Sequence, residues 1–551
     1  MKRQTKMLAA LLLALLMLVG CAPAEPQQEA EKVQQPLTLA DNGATDFRLI
    51  HAAGSTIETL DTAAALQKEI QRLTGAKVEI CEDLAYSVSG ESYEILLGSC
   101  DRAEDDVAFA ALHSINDYRV QLLGNKLVIA ANQDEQLLQA VQELCLVLGD
   151  YTKDGKLVLP ADFLLTGGAE DGISVPALTG GTLRAGVDGG NGSQLLIYKA
   201  DSQACDAYLS TLEAAGYERH AQNEIDGNRY FTCVGNGATV TVMDTPAMGT
   251  VRVSVDPKEY RIPTEAENVN AAVQPSVTLL GLEGYETNGS PTQTGLSLLY
   301  QLSDGSFIVV DGGHNKVAAS SQIYRTMREL APNPNKITIA AWIITHSHND
   351  HAGAFISFRR NYASSVTVEK VLVSFPGEGQ YVSSSTGTSY RDNVLAEAAR
   401  LPGVEVIKVH PGQVFYLRDA AVEILYTMDL FEPDKLTDFN DSSIVCTVTL
   451  GGQKLLQTGD CGVLTSGILC RLYNEALQCD IVQMSHHGYA GATEELYRAV
   501  DPRYVLWPSG STTYERYKTA GNNVWLMNES RMERLWLAED KIQTIRLPID
   551  S

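Results

Sequence analysis

The stretch that most constrains this chain is Ile343-Ile344-Thr345-His346-Ser347-His348-Asn349-Asp350-His351-Ala352-Gly353. A β-prone apolar run from Ile337 to Ile344, with Trp342 in it, stops at Thr345. Three histidines and an aspartate then follow within six residues. Imidazole and carboxylate together suit zinc, iron or manganese rather than calcium or magnesium. At this spacing His346 and His348 reach one ion, while Asp350 and His351 reach a second. Only ten histidines serve 551 residues, so three in one hexapeptide directly after a strand favour a metal loop over a solvated turn that happens to be His-rich.

HxHxDH at the end of a core strand resembles the signature of the metallo-β-lactamase superfamily. The resemblance implies an αββα sandwich whose ligands come from several strand ends in its two halves. Three further places match it. Asp311, in Ser306-Phe307-Ile308-Val309-Val310-Asp311-Gly312-Gly313, stands where the family braces the metal loop through hydrogen bonds. Asp460, in Lys454-Leu455-Leu456-Gln457-Thr458-Gly459-Asp460, stands where a carboxylate bridges two cations and offsets their repulsion. His486-His487-Gly488 follows the apolar run Ile481–Met484. By position along the strand His486 is the preferred ligand and His487 a neighbour that binds substrate or donates a proton, with the choice between them open.

One family ligand has no counterpart. Lactamases and glyoxalase-type thioester hydrolases place a further histidine before the strand that leads to the aspartate. Here that stretch is Phe439-Asn440-Asp441-Ser442-Ser443-Ile444-Val445, and His410 comes too early. N-x-x-S, then TGD, then HHG resembles the hydrolase domain of ComEC-like DNA-uptake proteins. That resemblance implies phosphodiester cleavage with Zn2+ or Mn2+, as one or two ions. Asn440 or Asp441 then offers a weak oxygen ligand, and Ser443, like Asp311, supports the ligands or contacts substrate. Asp350 and His487 are the candidate catalytic pair, Asp350 orienting the nucleophile and His487 protonating the leaving group.

Composition narrows the substrate and the setting. Net charge is −26 and the pI about 4.8, which excludes a broad electrostatic grip on nucleic acid or anionic lipid. Bound cations would still draw in a phosphate-bearing substrate, because they reverse the local field. Nucleic acid is the first candidate among phosphodiesters, a small phosphoester or envelope ester is the rival, and a catalytically silent envelope-binding lipoprotein is the non-enzymatic alternative. No protein partner can be inferred.

At the N-terminus Lys2, Arg3 and Lys6 precede an apolar run from Met7 to Val19. This is a signal peptide in pattern, too short for a confident membrane span. Leu18-Val19-Gly20-Cys21 resembles a lipobox, which implies lipidation of Cys21 and a protein anchored outside the cytoplasm on a bacterial cell membrane. Nine further cysteines show no CxxC pair; Cys205 with Cys233 or Cys470 with Cys479 could bridge, although buried free thiols are the simpler expectation.

The length predicts three or four domains. We read residues 1–21 as the leader, 22–45 as a polar tether, and 46–165 as a small α/β domain. This last resembles the accessory domain that precedes the barrel in α-glucuronidase-type and hexosaminidase-type glycosidases, which implies support rather than chemistry. Residues 180–257 read as a ferredoxin-like βαββ unit with hairpin turns at Asp226-Gly227 and Asn236-Gly237. Residues 276–551 form the hydrolase domain. The fold class expected is thus α/β (α+β) and multidomain, with two small domains ahead of a metallo-β-lactamase sandwich.

Overall fold

The computed structural model describes residues 35–549 apart from 86–91, 110, 113–114, 169–174, 191, 283–285, 288–289, 292–294, 378–379, 382–386, 490 and 539–541. The leader, Cys21 and most of the expected tether lie outside the described residues. Among those described, no helix is long and apolar enough to cross a membrane.

The first domain begins earlier than the sequence predicts. Leu37–Asp41, expected to be tether, is a strand paired antiparallel with Lys156–Leu159. Its pairing partner lies more than a hundred residues on, so no local pattern reveals it. The main sheet runs in the order Glu79–Glu82, Arg48–His51, Glu94–Leu97, Lys126–Ala131, Tyr118–Leu123, Leu164–Gly167. The helix Ile57–Thr74 covers one face through Ala63, Leu66 and Ile70. Thr56 caps its first turn, and Gly75, at φ 79°, ends it.

The middle domain departs from a ferredoxin-like unit. A single helix, Ser202–Ala214, packs on a six-stranded antiparallel sheet. The order is Thr182–Gly190, Ser193–Lys199, Thr250–Asp256, Ala238–Thr245, Asn228–Gly235, Glu218–Ile225. Asp226-Gly227 and Asn236-Gly237 do form the two hairpin turns, all four residues at positive φ. Tight hairpins followed by another antiparallel strand leave no length for the second crossover helix.

That sheet is covered on both sides. Leu196, Val240 and Val253 share a core with its helix and with Ile50, Leu96 and Val128 of the first domain. Leu195, Ile197 and Met243 pack instead on Leu425 and Tyr426 of the last domain, and the Tyr230 and Tyr473 hydroxyls meet at 2.7 Å across that seam. Every described cysteine is a free thiol, so neither candidate bridge is formed.

The last domain is the αββα sandwich. One sheet takes the order Glu405–Lys408, Lys370–Val373, Ile337–Ile344, Phe307–Val310, Leu298–Gln301, Ser276–Leu279, Gln543–Arg546. The other runs Val414–Leu417, Ala420–Tyr426, Val445–Leu450, Gln453–Gln457, Ile481–Gln483, Tyr504–Trp507, Arg534–Leu537. Ile308, Val310 and Ile343 from the first interleave with Ile424, Val448 and Leu455 from the second. Helices Val317–Leu330 and Asn349–Tyr362 cover the outer face of the first sheet, where Trp342 and Ile344 point. Ile337–Ile344 is therefore buried on both faces, which is why it reads as an unbroken apolar run rather than an alternating one. Parallel neighbours align the strand ends in each sheet, so the loops that follow them emerge at one edge.

Candidate metal centre

The ligand loop hangs from the end of Ile337–Ile344. His346 is fully buried, His348 directly precedes the helix Asn349–Tyr362, and Asp350 and His351 occupy its first turn. From the second sheet, Gln453–Gln457 ends at Thr458-Gly459-Asp460 and Ile481–Gln483 at Ser485-His486-His487. The two sets meet. His351 Nε2 lies 3.0 Å from Asp460 Oδ2 and 3.2 Å from His487 Nε2, which in turn is 3.1 Å from Asp350 Oδ2 and 3.4 Å from Asp460 Oδ2. His346 Nε2 is 3.0 Å from His348 Nδ1.

Asp311 braces this loop. It sits at φ 55°, a conformation that aspartate tolerates better than a branched residue, directly after the strand Phe307–Val310. One carboxylate oxygen accepts from the Thr345 amide at 2.8 Å. The other accepts from the Thr345 hydroxyl at 2.9 Å and lies 2.8 Å from His351 Nδ1. A carboxylate on Nδ1 fixes the ring and leaves Nε2 aimed at the centre.

Two groups of three offer ligand atoms within 4.8 Å of one another: His346, His351 and Asp460, and Asp350, His351 and His487. His351 belongs to both. Asp460 Oδ1 and His487 Nδ1 are buried with no hydrogen-bond partner. A buried carboxylate oxygen without a partner costs stability, so Asp460 at this cluster fits a cation. Burial, with His351 and His348 adding to it, holds the His346 imidazole well below its ordinary pKa, the neutral form that ligation requires. Burial also opposes charge on His351, but Asp460 and Asp311 outweigh it and raise that group.

The two adjacent histidines sit the other way round from the expectation. His487 is 1% exposed and faces the cluster; the His486 side chain is 38% exposed, its Nε2 4.0 Å from Asp460 Oδ2. Both residues adopt left-handed backbone, at φ 50° and 54°. That turn breaks the strand alternation from which the sequence reading ranked them. Gly488 continues the turn at φ 82°, where a Cβ would fall 2.2 Å from the Trp507 ring. The Trp507 indole donates to the Ser509 hydroxyl, which donates to the His487 carbonyl, both at 2.9 Å.

The remaining candidates divide. The Ser443 hydroxyl accepts from the Asp460 amide at 3.1 Å and lies 3.3 Å from His346 Nδ1, so it supports both. Asp441 turns away. Its carboxylate accepts from the amides of Gly462 and Thr465 and from the Thr465 hydroxyl, capping the chain just beyond Asp460 rather than offering it a ligand. Asn440 is buried with Oδ1 unpartnered. His410 lies apart, between Asp256 at 2.8 Å and Asp429 at 2.5 Å. Two neighbours of the centre escaped the sequence reading. His314, directly after Asp311-Gly312-Gly313, is buried, which pushes its pKa down to about 4, although Asp350 acts to raise it. Tyr489, three residues after His486, places its ring 5.6 Å from that imidazole.

The family model of the metallo-beta-lactamase superfamily matches residues 292–507. Among solved structures, the metallo-beta-lactamase fold protein YhfI from Bacillus subtilis is 13% identical, with a TM-score of 0.32 over 49% of this chain and 100% of its own. CmlA, a diiron beta-hydroxylase from Streptomyces venezuelae, is 13% identical, with a TM-score of 0.31 over 52% of this chain and 55% of its own. The short form of human tRNase Z is 15% identical, with a TM-score of 0.26 over 50% of this chain and 100% of its own. No curated protein matches.

Proposed function

We propose that the metallo-beta-lactamase superfamily domain at residues 292–507 makes this protein a metal-dependent hydrolase of phosphodiesters. The observation that carries the proposal is the meeting of His346, His351, Asp460, Asp350 and His487 from both halves of the sandwich, with Asp460 Oδ1 buried and unpartnered. His346, His351 and Asp460 would hold one ion, and Asp350 with His487 would complete a second place. His348, beside His346, belongs to the first. A bound Zn2+ or Mn2+ would supply Lewis-acid chemistry, acidifying water and neutralising charge on the non-bridging oxygens of the phosphorus under attack.

The chain's own groups do the rest. Asp311 fixes the His351 ring through Nδ1, and Ser443 holds the Asp460 backbone. Asp350, with 27% of its side chain exposed, accepts a hydrogen bond from the attacking water and so orients it. His486, on the solvent side of the cluster, donates the proton that the leaving oxygen needs. The motif run Asn440, Ser443, Asp460, His486-His487 supports phosphodiesters over β-lactams, since the histidine that lactamases add before the strand is absent from 439–445. Nucleic acid is the first substrate to test.

The leader and Cys21 support a further part of the proposal, a lipid anchor outside the cytoplasm.

The direct test is turnover of bis-p-nitrophenyl phosphate by purified protein reconstituted with Zn2+ or Mn2+. We expect hydrolysis in the wild type and at least a hundredfold loss in Asp460→Ala. An inactive, metal-loaded wild type would overturn the enzymatic reading. For the anchor, Cys21→Ser should move the protein from the membrane to the soluble fraction.

A further inference from the structure

We propose that Tyr489, Tyr517 and Arg516 form a wall that stacks one nucleobase of the substrate beside the metal centre. The inference rests on the phosphodiesterase reading and deepens it, from a bond type to a class of substrate.

The wall belongs to the same sheet edge as the histidines. Helix Ser511–Tyr517 follows the strand Tyr504–Trp507, the parallel neighbour of Ile481–Gln483, whose end carries His486 and His487. Tyr489 connects the two. Its ring stands 5.6 Å from His486 and 6.0 Å from His487. Tyr517 meets the Tyr489 ring edge to face, 4.8 Å away at 90°. The Arg516 guanidinium lies 5.3 Å over the Tyr517 ring.

Tyr514 and Tyr517 both pack against the core beneath the second sheet, but that packing does not account for Arg516. Tyr514 already anchors the helix, edge-on to buried Trp507 at 5.1 Å. Lys518, the other cation here, covers Tyr514 and pairs with Glu515 at 2.7 Å. Arg516 differs: it is exposed and has no carboxylate partner among the described residues. In a chain of net charge −26, an arginine with no carboxylate partner among the described residues, stacked on a half-buried tyrosine whose ring touches Tyr489, suits a ligand that is flat and anionic at once. On the opposite flank Phe439, beside His348, is 4% exposed.

A nucleoside phosphodiester has that chemistry: the base stacks on the Arg516 guanidinium that covers Tyr517, and the same positive charge attracts its phosphate. One platform accommodates one base. The acidic surface supplies no basic groove for a long strand, so the wall reads a terminal or short unit.

The test uses the full chain, loaded with Mn2+, on thymidylyl-thymidine and on the same phosphodiester with one base replaced by an abasic spacer. Wild type should prefer the two-base substrate about tenfold, chiefly through KM, as expected of a single stacked base. Tyr517→Ala and Arg516→Ala should each shrink that preference to about threefold or less, whereas Arg531→Ala, at a surface ion pair with Asp501, should keep it. In parallel, calorimetry with thymidine monophosphate should show Kd rising about tenfold in Tyr517→Ala. Active wild type with no base preference, or variants that retain it, would overturn the wall and leave the hydrolase standing. Base-dependent binding by an inactive wild type would uphold the wall and sink the hydrolase. Neither binding nor turnover would overturn both.

Discussion

His351 Nε2 and His487 Nε2 face one another at 3.2 Å across the seam between the two halves of the sandwich. Each nitrogen comes from a different sheet, and each is flanked by a carboxylate, Asp460 or Asp350. The centre therefore exists only when both sheets are packed, and its integrity reports on the whole domain.

Asp311 makes this dependence measurable. It touches none of the atoms that face the centre, yet fixes the His351 ring from behind. Asp311→Ala should weaken metal affinity about 10–100-fold while leaving the protein folded. Competition with a chromophoric chelator reads the affinity; a variant that binds as tightly as wild type would contradict the role.

Gly488 should tolerate no side chain. Alanine there would place a Cβ 2.2 Å from Trp507 at φ 82°, so backbone strain and a clash add. Gly488→Ala should cost about 2 kcal/mol or more and lower activity by displacing His487. Urea unfolding followed by tryptophan fluorescence checks the stability, and an unchanged midpoint would contradict the geometry.

Asp441 should separate bracing from chemistry. Asp441→Ala removes the acceptor for Gly462 and Thr465 and should cost about 1–2 kcal/mol of stability. Its activity at low temperature, where the fold persists, should fall far less than that of Asp460→Ala. Equal losses in the two variants would make Asp441 part of the chemistry after all.

The seam between the middle and last domains carries a pH dependence. His410 is fully buried between Asp256 of the middle domain and Asp429; burial disfavours its charge, but the two carboxylates outweigh that and raise its pKa to about 9. Lys408, Arg252 and Glu432 also act on this cluster. A pKa raised from an ordinary 6.5 gives stability that is complete below about pH 6.5 and lost as pH rises through about 9, a few kcal/mol in all. Glu432, pushed by burial up to about 8, acts in the same direction. Denaturation midpoints should fall between pH 6.5 and 9, and the His410 ring proton signal should titrate near the top of that range. A flat profile would contradict a charged His410.

How much of this was legible in the sequence depended on how locally each feature is encoded. The Ile337–Ile344 strand and its loop were plain because burial on both faces leaves an unbroken apolar run and the polar groups crowd into six residues. The αββα class followed from the family resemblance that this loop carries together with Asp311 and the TGD and HHG runs. The order of His486 and His487 was hidden, because two consecutive left-handed residues rotate the side chains off the strand's alternation. Asp441 looked like a ligand because its real partners, Gly462 and Thr465, lie more than twenty residues away. The strand Leu37–Asp41 was missed for the same reason, and the middle domain's sheet order is set by its partners on both faces rather than by its own periodicity.

Metal analysis of purified protein tests the central claim most directly. Wild type and Asp460→Ala, both checked for folding by circular dichroism, would be dialysed against Zn2+ or Mn2+, passed through a desalting column and quantified by inductively coupled plasma mass spectrometry. The account predicts one to two ions per wild-type chain and a loss of at least half of them in the variant. A folded wild type that retains no metal, or a variant that retains as much as wild type, would contradict a metal centre built on Asp460 and its histidines.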